Sequence, residues 1–270
     1  MGFERRCIVR GGGDLATGVV WRLWRAGIQV VVTELDAPLT IRRTVAVSTA
    51  VTEGEITVEG MHARRVTTRD EIVNAHQQGS IPVIVAPSLD DLDDVVSFDA
   101  VIDARLAKSA LDTSLDDAPL VIGLGPGFTA SVNCHAVIET QRGHRLGRVM
   151  WSGSAAPNTG TPGIIDGRGR ERVIRAQCEG TVHWSCAIGV TVIDGASIGS
   201  LDDANGSTPI VAPFTGVLRG AIAEGTRATA GLKIADVDPR IDDTSWRQIS
   251  DKALAIGGGV LEAVLAGGPP

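Results

Sequence analysis

The sequence predicts an α/β protein in which a domain built on a parallel sheet is followed by a β-rich module and a C-terminal helix. Over the first 125 residues, short β-branched runs alternate with helical stretches, which is typical of parallel strands covered by helices on both faces. In the second half, glycine becomes periodic and no long helical pattern appears before residue 250. These observations predict a change of architecture in the middle of the chain.

The chain opens with a strand, a glycine turn and a helix. The strand is predicted over Cys7–Arg10 and the helix over Leu15–Ala26. In the turn between them, Gly11, Gly13 and Ala16 fit the pattern G-x-G-x-x-G/A, whose small residues let backbone N–H groups approach a phosphate at a helix N-terminus. This order of elements predicts a Rossmann-like domain that binds a nucleotide or another anion, assigned to residues 1–150.

Two acidic residues bear on this prediction. A second predicted strand, Ile28–Thr33, ends at Glu34, at about the distance along the chain where an acidic residue binds ribose hydroxyls; a polar strand end is the alternative. Asp14 would repel a phosphate, and its alternatives are a helix cap and a contact to metal or substrate. The residues of this region predicted to contact a ligand are Gly11, Gly12, Gly13, Asp14, Leu15, Ala16 and Glu34.

Charged residues also follow other predicted strands, and the carboxyl ends of parallel strands share the edge where open α/β sheets bind ligands. Arg42 and Arg43 are predicted to clamp a phosphate or carboxylate. Asp103, with Arg105 and Lys108, is predicted to contact a charged ligand. For both groups, ordinary ion pairs are the alternative. The further strands are predicted at His62–Val66, Pro82–Val85, Ala100–Asp103 and Leu120–Gly123, with a helix capped by Thr68 over Arg69–Gln78.

A second glycine cluster follows the strand that ends at Gly123. A Gly-Pro-Gly turn is rigid, and its N–H groups can converge on an anion; the alternative is a connector to the second domain. The residues predicted to bind there are Gly125, Pro126, Gly127, Phe128 and Thr129.

No catalytic residue is assigned. Cys134 and His135 are adjacent, and adjacent side chains of a helix point about 100° apart, so the sequence alone does not predict a catalytic dyad. The segment from Ser152 to Gly163 is poor in apolar side chains, which predicts an anion-binding lid or a linker within a connecting loop at 151–174.

The second half contains an internal repeat with an offset of 36 residues. Ala176, Gly180 and Val182 are matched by Ala212, Gly216 and Leu218, and four later positions match at the same offset, which indicates duplication. The glycine-broken strands and the sequence Ala212–Val217 resemble the barrel-sandwich fold of biotinyl and lipoyl carriers, assigned to 175–240. The stretch from 202 to 207 has no lysine for a swinging arm, so the module is expected to dock or to cover a site.

The last segment, 241–270, is predicted to form a helix that packs back on the first domain. Ser250 or Asp251 is expected to cap it. Gly257, Gly258 and Gly259 lie in its interior, and each costs about 1 kcal/mol relative to alanine. Close packing against another backbone or a ligand is expected to offset that cost.

The composition of the chain limits the kinds of partner that the protein is expected to bind. The net charge of −7 argues against nucleic acid, because neutralising phosphates needs a basic surface. No apolar run approaches the length of a membrane span and no signal peptide is recognisable, so a cytoplasmic protein without membrane contact is expected. The four cysteines have no C-x-x-C spacing. Reduced thiols and no metal are therefore predicted, and a site of Cys178, Cys186 and His183 is the alternative.

Several motifs spread over nearly the whole chain resemble the YqeB family, whose members are described as accessory proteins of selenium-dependent molybdenum hydroxylases. The resemblance implies a maturation factor that binds a small phosphorylated, nucleotide-like ligand, such as a molybdopterin-type cofactor, a dinucleotide or a selenium donor, with a molybdenum hydroxylase as partner. It brings no catalytic residues and leaves homo-oligomerisation open. The alternatives are an NAD(P)-dependent oxidoreductase and a non-catalytic scaffold for a hydroxylase. The motifs are Gly11–Gly18, Arg42-Arg43, Leu124–Ala130, Arg142–His144, Pro157–Gly160, Asp236–Arg240 and Ser250–Ala253.

Overall fold

The computed structural model describes residues 5–92, 97–107, 112–158, 166–204, 206–241 and 244–269. The chain divides into two compact units. The first unit comprises Met1–Pro38, Ala46–Asn158 and Ile249–Pro270, and the second comprises Leu39–Val45 and Thr159–Gln248. The C-terminal segment therefore belongs to the same unit as the first strand.

The first unit contains a nine-stranded sheet in the order β10-β9-β7-β6-β1-β2-β5-β4-β3. Its helices are α1 (Asp14–Arg25), α2 (Thr49–Glu53), α3 (Arg69–Gln77) and α4 (Asp251–Ala266). Its strands are β1 (Arg6–Arg10), β2 (Gln29–Glu34), β3 (Glu55–Val58), β4 (Met61–Val66), β5 (Ile81–Val85), β6 (Ala100–Asp103), β7 (Leu120–Leu124), β8 (Thr129–Ala130), β9 (Ala136–Ile138), β10 (Val149–Met150) and β11 (Gly153–Ser154).

The sheet is mixed, so the predicted Rossmann-like parallel sheet is wrong. The strands from β9 to β4 run parallel, but the edge strands β3 and β10 are antiparallel to their neighbours. Helices are few as well, because short 3-10 turns stand after β5 and before β7, at Asp90–Leu92 and Leu115–Asp117. Ser114 caps the second of these turns together with Asp117, and such polar, turn-forming residues compete with a crossover helix.

Of the three N-terminal caps considered in the sequence, two are found where they were predicted. Thr68 caps α3 in a capping box with Glu71, and Ser250 caps α4 by accepting from the Ala253 N–H at 3.1 Å, so both predictions are confirmed. The cap predicted for Asp14 is wrong, since Gly13 is the N-cap of α1 and Asp14 is its first residue.

The glycines inside α4 allow two backbones to touch. A Cβ atom at Gly18 of α1 would lie 2.5 Å from the Ala253 carbonyl oxygen, and one at Gly257 would overlap the Gly18 carbonyl oxygen. Gly259 approaches the Gly147 carbonyl oxygen in the same way, whereas a Cβ at Gly258 would meet nothing within 4 Å. Close helix packing therefore offsets the cost of glycine at 257 and 259, as predicted.

The second unit consists of two four-stranded antiparallel sheets, ordered β12-β19-β17-β14 and β16-β15-β13-β18. The predicted biotinyl- or lipoyl-like barrel-sandwich is wrong for this unit. Strand β12 and the upstream segment Leu39–Val45 both lie outside the sequence repeat and belong to the unit's structure. Its strands are β12 (Val173–Arg175), β13 (Gly180–Trp184), β14 (Thr191–Val192), β15 (Ser197–Asp203), β16 (Gly206–Val211), β17 (Gly216–Ala221), β18 (Arg227–Ala228) and β19 (Lys233–Asp238).

The internal repeat is confirmed in the strands of this unit. Strands β13, β14 and β15 begin 36 residues before β17, β18 and β19 respectively. The two copies also exchange matching hydrogen bonds, because Gly189 N–H donates to the Leu218 carbonyl at 2.8 Å and Gly225 N–H donates to the Val182 carbonyl at 2.9 Å. Each copy thus supplies the partner that the other copy needs.

Replacement of Gly257 by alanine is expected to destabilise the protein by about 1–3 kcal/mol, the usual cost of overpacking, because the new methyl group would overlap the α1 backbone. Urea unfolding followed by tryptophan fluorescence measures this. Gly258→Ala is the matched control, and the better helix propensity of alanine is expected to raise its free energy of unfolding by up to about 1 kcal/mol. Equal effects of the two substitutions would contradict the packing argument.

Candidate functional site

The glycine turn after β1 is occupied mainly by the protein itself. Gly11 N–H donates to the Thr33 carbonyl at 2.8 Å. A Cβ atom at Gly11 would lie 3.1 Å from the Arg105 Cα, and one at Gly12 would lie 2.8 Å from the Ser48 backbone nitrogen. Packing within the protein therefore accounts for the missing side chains at Gly11 and Gly12.

Gly13 differs from the two glycines before it. A Cβ atom at this position would meet nothing within 4 Å. The carbonyl of Gly13 accepts from the Thr17 hydroxyl at 2.9 Å, and Thr17 in turn accepts from the Val47 N–H at 3.0 Å. The Thr17 hydroxyl thus links the turn to Val47, while the space beside Gly13 at the start of α1 is open. Leu15 is half-buried and Ala16 is buried in the core.

Glu34 closes the turn from the neighbouring strand. Its carboxylate accepts from the Gly12 N–H and the Leu35 N–H, both at 2.8 Å. Burial raises the pKa of Glu34, although the two N–H donors act in the opposite direction. The carboxylate therefore takes the N–H group that would otherwise face a phosphate, and its contact to ribose stays a prediction.

The second glycine turn follows β7. Gly125, with a φ of +74°, donates its N–H to the Ile138 carbonyl at 2.9 Å, and a Cβ there would overlap the Thr140 hydroxyl. Asn133 braces the turn by accepting from the Thr129 N–H at 2.8 Å and donating to the Gly127 carbonyl at 3.0 Å. The N–H groups of Gly125 and Thr129 and the Gly127 carbonyl therefore already have hydrogen-bond partners within the chain.

The remaining predicted residues of this turn have different surroundings. Phe128 is fully buried and packs on Gly123, where a Cβ would overlap its ring. Pro126 is half-buried. Because β1, β6 and β7 are parallel neighbours, both glycine turns leave the same edge of the sheet, about 10 Å apart at the usual strand spacing.

Asp103, at the end of β6, is completely buried in a network of polar side chains. It accepts from Arg105 Nη2 at 2.6 Å and from the Thr113 hydroxyl at 2.6 Å. Arg10, also buried, donates to Thr113 at 2.9 Å and pairs with Asp112 at 2.8 Å. Hydrogen bonds from Arg10 and Arg105 lower the pKa of Asp112. This network fills the junction between β1 and β6.

Arg42 and Arg43 belong to the second unit. Arg42 is buried and donates to the carbonyls of Ser245 and Gln248 at 3.2 and 3.0 Å. Arg43 donates through Nε to the Ala221 carbonyl at 2.9 Å. Both guanidinium groups thus bind backbone carbonyls of their own unit.

A group that sequence analysis did not assemble includes Asp14, the residue that follows Gly13. Lys252, in the first turn of α4, interacts electrostatically with Asp14 and Glu139, and with the ion pair that Arg142 makes with Asp251. Burial is the largest cause of the lowered pKa of Lys252, and Arg142 lowers it further. The carboxylates act in the opposite direction without restoring the ordinary value.

Sequence analysis did not single out Glu139. It directly follows β9, is buried, and accepts from the N–H groups of Gln141 and Ala156 at 2.8 and 2.9 Å. An acidic residue directly after a buried strand, the signal used for Glu34, would have identified it.

Cys134 does not have the surroundings of a nucleophile. Burial raises its pKa to about 11, which keeps the thiol protonated at neutral pH. The adjacent His135 accepts from the Val121 N–H through Nδ1 at 2.9 Å. Two predicted features, Lys108 and the part of the proposed lid from 159 to 163, lie outside the described residues.

Within the described parts of the chain, no set of three or more His, Cys, Asp and Glu residues is arranged to hold a metal ion. In the same residues, no helix combines the length and the apolar character needed to cross a membrane.

Comparison with known proteins gives one strong sequence relationship. No family model matches the chain. It is 46% identical over 258 residues to the uncharacterized protein YqeB of Escherichia coli K12, an alignment that covers 96% of this chain and 47% of that protein. The chain is therefore similar to YqeB over almost the whole of its own sequence. The chain spans about half the length of that relative.

Among solved structures, the likenesses are distant. An aspartoacylase family protein from Mesorhizobium loti is 8% identical, with a TM-score of 0.28 and coverage of 87% of this chain and 84% of that chain. Product-bound ectoine utilization protein EutE (DoeB) from Ruegeria pomeroyi is 9% identical, with a TM-score of 0.28 and coverage of 88% and 86%. A succinylglutamate desuccinylase/aspartoacylase from Rhodobacter sphaeroides is 19% identical, with a TM-score of 0.25 and coverage of 28% and 24%.

One prediction is corrected by these comparisons. The predicted role in the maturation of molybdenum hydroxylases is withdrawn, because the relative that aligns with 96% of the chain is named only as an uncharacterized protein.

Replacement of Asp103 by asparagine is expected to destabilise the protein by about 1.5–3 kcal/mol, because it removes the charged acceptor of the hydrogen bonds from Arg105 and Thr113. Urea unfolding measures the effect. Asp116→Asn, at an exposed position in the same connection, is the control and is expected to change stability by less than about 0.5 kcal/mol. A neutral Asp103→Asn would mean that the network contributes little to the fold.

Proposed function

We propose that the first unit binds a small polar molecule with one anionic group, at the sheet edge beside Gly13, and that the Lys252 amine contacts this group. The observation that carries the proposal is the combination of open space at Gly13 with a half-buried lysine whose pKa is lowered. Perturbed ionisable groups at such an edge are typical of functional sites.

The distribution of charge supports a ligand with one negative group rather than several. Asp14 and Glu139 act on Lys252 together with the Arg142–Asp251 pair, which is bidentate with N–O distances of 2.6 and 2.9 Å. Since that pair neutralises itself, two carboxylates face one amine. A ligand with one anion, and with hydroxyl or amino groups that donate to carboxylates, matches this set.

The contacts of the glycine turns support the same choice. The N–H groups of Gly11, Gly12 and Gly125 already donate to protein acceptors, so few donors are left for the several oxygens of a pyrophosphate. A hydroxy acid or an amino acid is therefore the proposed class. The phosphorylated ligand predicted from the turns has less support from these contacts.

Replacement of Lys252 by methionine is expected to weaken ligand binding at least tenfold while leaving the fold intact, because methionine fills the same space without the charge. The measurement is a thermal-shift screen of hydroxy acids, amino acids and sugar phosphates, followed by calorimetric titration of each compound that stabilises the wild type. Lys233→Met, in the second unit, is the matched control. Compounds that bind wild type and Lys252→Met equally would contradict the proposal.

The lowered pKa of Lys252 gives a second, independent measurement. The chain contains three lysines, Lys108, Lys233 and Lys252, so each amine can be followed by peptide mass spectrometry after labelling with trinitrobenzenesulfonate. Because only the neutral amine reacts, the labelling rate of Lys252 is expected to reach half its maximum below the ordinary lysine value of 10.5.

In urea-unfolded protein, the midpoint for Lys252 is expected to return to that ordinary value. A folded midpoint at or above 10.5 would remove the main support for the proposed contact.

A further inference from the structure

We infer that the second unit contains an oxyanion-binding site in which the Nε–H groups of Arg172 and Arg219 bind a phosphate or carboxylate. Both Nε atoms are buried and have no hydrogen-bond partner among the described residues. A buried N–H group without an acceptor is unfavourable, and the site is independent of the function proposed for the first unit.

Three chain segments bring the guanidinium groups to one sheet. Arg172 directly precedes β12 and is 5% exposed. Arg219 stands in β17 where the register with β19 shifts between Leu218 and Gly220, and such bulges redirect a side chain. Arg42 lies beside β17, since the Ala221 N–H donates to the neighbouring Ile41 carbonyl at 2.9 Å.

The acidic residues of the sheet do not provide hydrogen-bond acceptors for all the N–H groups of Arg172 and Arg219. Arg172 reaches Asp236 only through Nη2, at 3.3 and 3.4 Å. Arg219 reaches Asp238 at 3.7 Å, beyond hydrogen-bond distance, because Arg240 already holds that carboxylate with contacts of 2.7 and 2.9 Å. The Nε–H groups of Arg172 and Arg219 are directed to neither carboxylate.

Electrostatics favours an anion over water as the missing acceptor. Burial is the largest cause that lowers the pKa of Arg219, and Arg42 and Arg172 lower it further, against the opposing effect of Asp236 and Asp238. A bound water would satisfy the N–H groups but not this repulsion, whereas an oxyanion satisfies both. The planar guanidinium group also matches phosphate and carboxylate geometry.

The site gives a role to two sequence motifs that the first unit does not use. Arg42 comes from the Arg42-Arg43 pair and Asp236, Asp238 and Arg240 come from Asp236–Arg240. In the sequence these segments are almost two hundred residues apart, and only the second unit's sheet brings them together.

The test is an NMR titration of the 270-residue chain labelled with ¹⁵N-arginine, in which each Arg Nε–H gives its own signal. Inorganic phosphate and sodium acetate are titrated separately at constant ionic strength, with chloride as the balancing anion. The signals of Arg172 and Arg219, assigned from Arg172→Lys and Arg219→Gln, are expected to shift with saturation. A response to phosphate alone, to acetate alone or to both supports the site and identifies the class of oxyanion.

The variants separate binding from folding. Arg219→Gln is expected to lower the anion affinity measured at the Arg172 signal at least tenfold. Arg219→Lys keeps the charge without the Nε–H, so its anion affinity is expected to lie between those of the wild type and Arg219→Gln. Arg227→Gln, which removes an exposed ion pair with Glu179, is the control and should bind as the wild type does. Absence of a saturable shift with either anion, or an equal response in Arg219→Gln, would overturn the inference.

Discussion

The backbone contact between α1 and α4 is the constraint on which the first unit's candidate site depends. Gly18 and Gly257 let the two helices approach without side chains between them, and Gly259 brings α4 against Gly147. The first turn of α4 is thereby held near the first turn of α1, although more than two hundred residues separate them. Lys252 interacts electrostatically with Asp14 for this reason, so packing in the helix interiors determines the charges of the candidate site.

The two candidate sites differ in whether their polar groups already have hydrogen-bond partners within the protein. In the first unit, Glu34 and the Ile138 carbonyl already accept from the glycine turns, so the proposed ligand contact is assigned to Lys252 rather than to the turns. In the second unit, Arg172 and Arg219 retain buried N–H groups without acceptors among the described residues. Since buried donors are normally paired, these exceptions indicate ligand binding more directly than the glycine pattern does.

Features that depend on neighbouring residues could be predicted from the sequence. The caps of α3 and α4 are encoded within short windows, and the strand positions follow apolar runs. The 36-residue repeat can be found because its two copies match at a constant offset. The partner of Asp103 and the unit to which Arg42 belongs could not be predicted, because each depends on segments far away in the sequence. The mixed sheet was missed for a related reason, since strand direction at an edge depends on the connection rather than on the strand's own residues.

A glycine motif can be examined position by position, because each missing side chain has its own cause. Arg105 and Ser48 exclude a side chain at Gly11 and Gly12 respectively, so protein packing alone accounts for both glycines. Gly13 has no such neighbour and has a negative φ of −66°, a conformation open to other residues. Neither space nor backbone strain within the protein requires glycine there. A requirement for glycine at this position would therefore have to come from a molecule that approaches the start of α1.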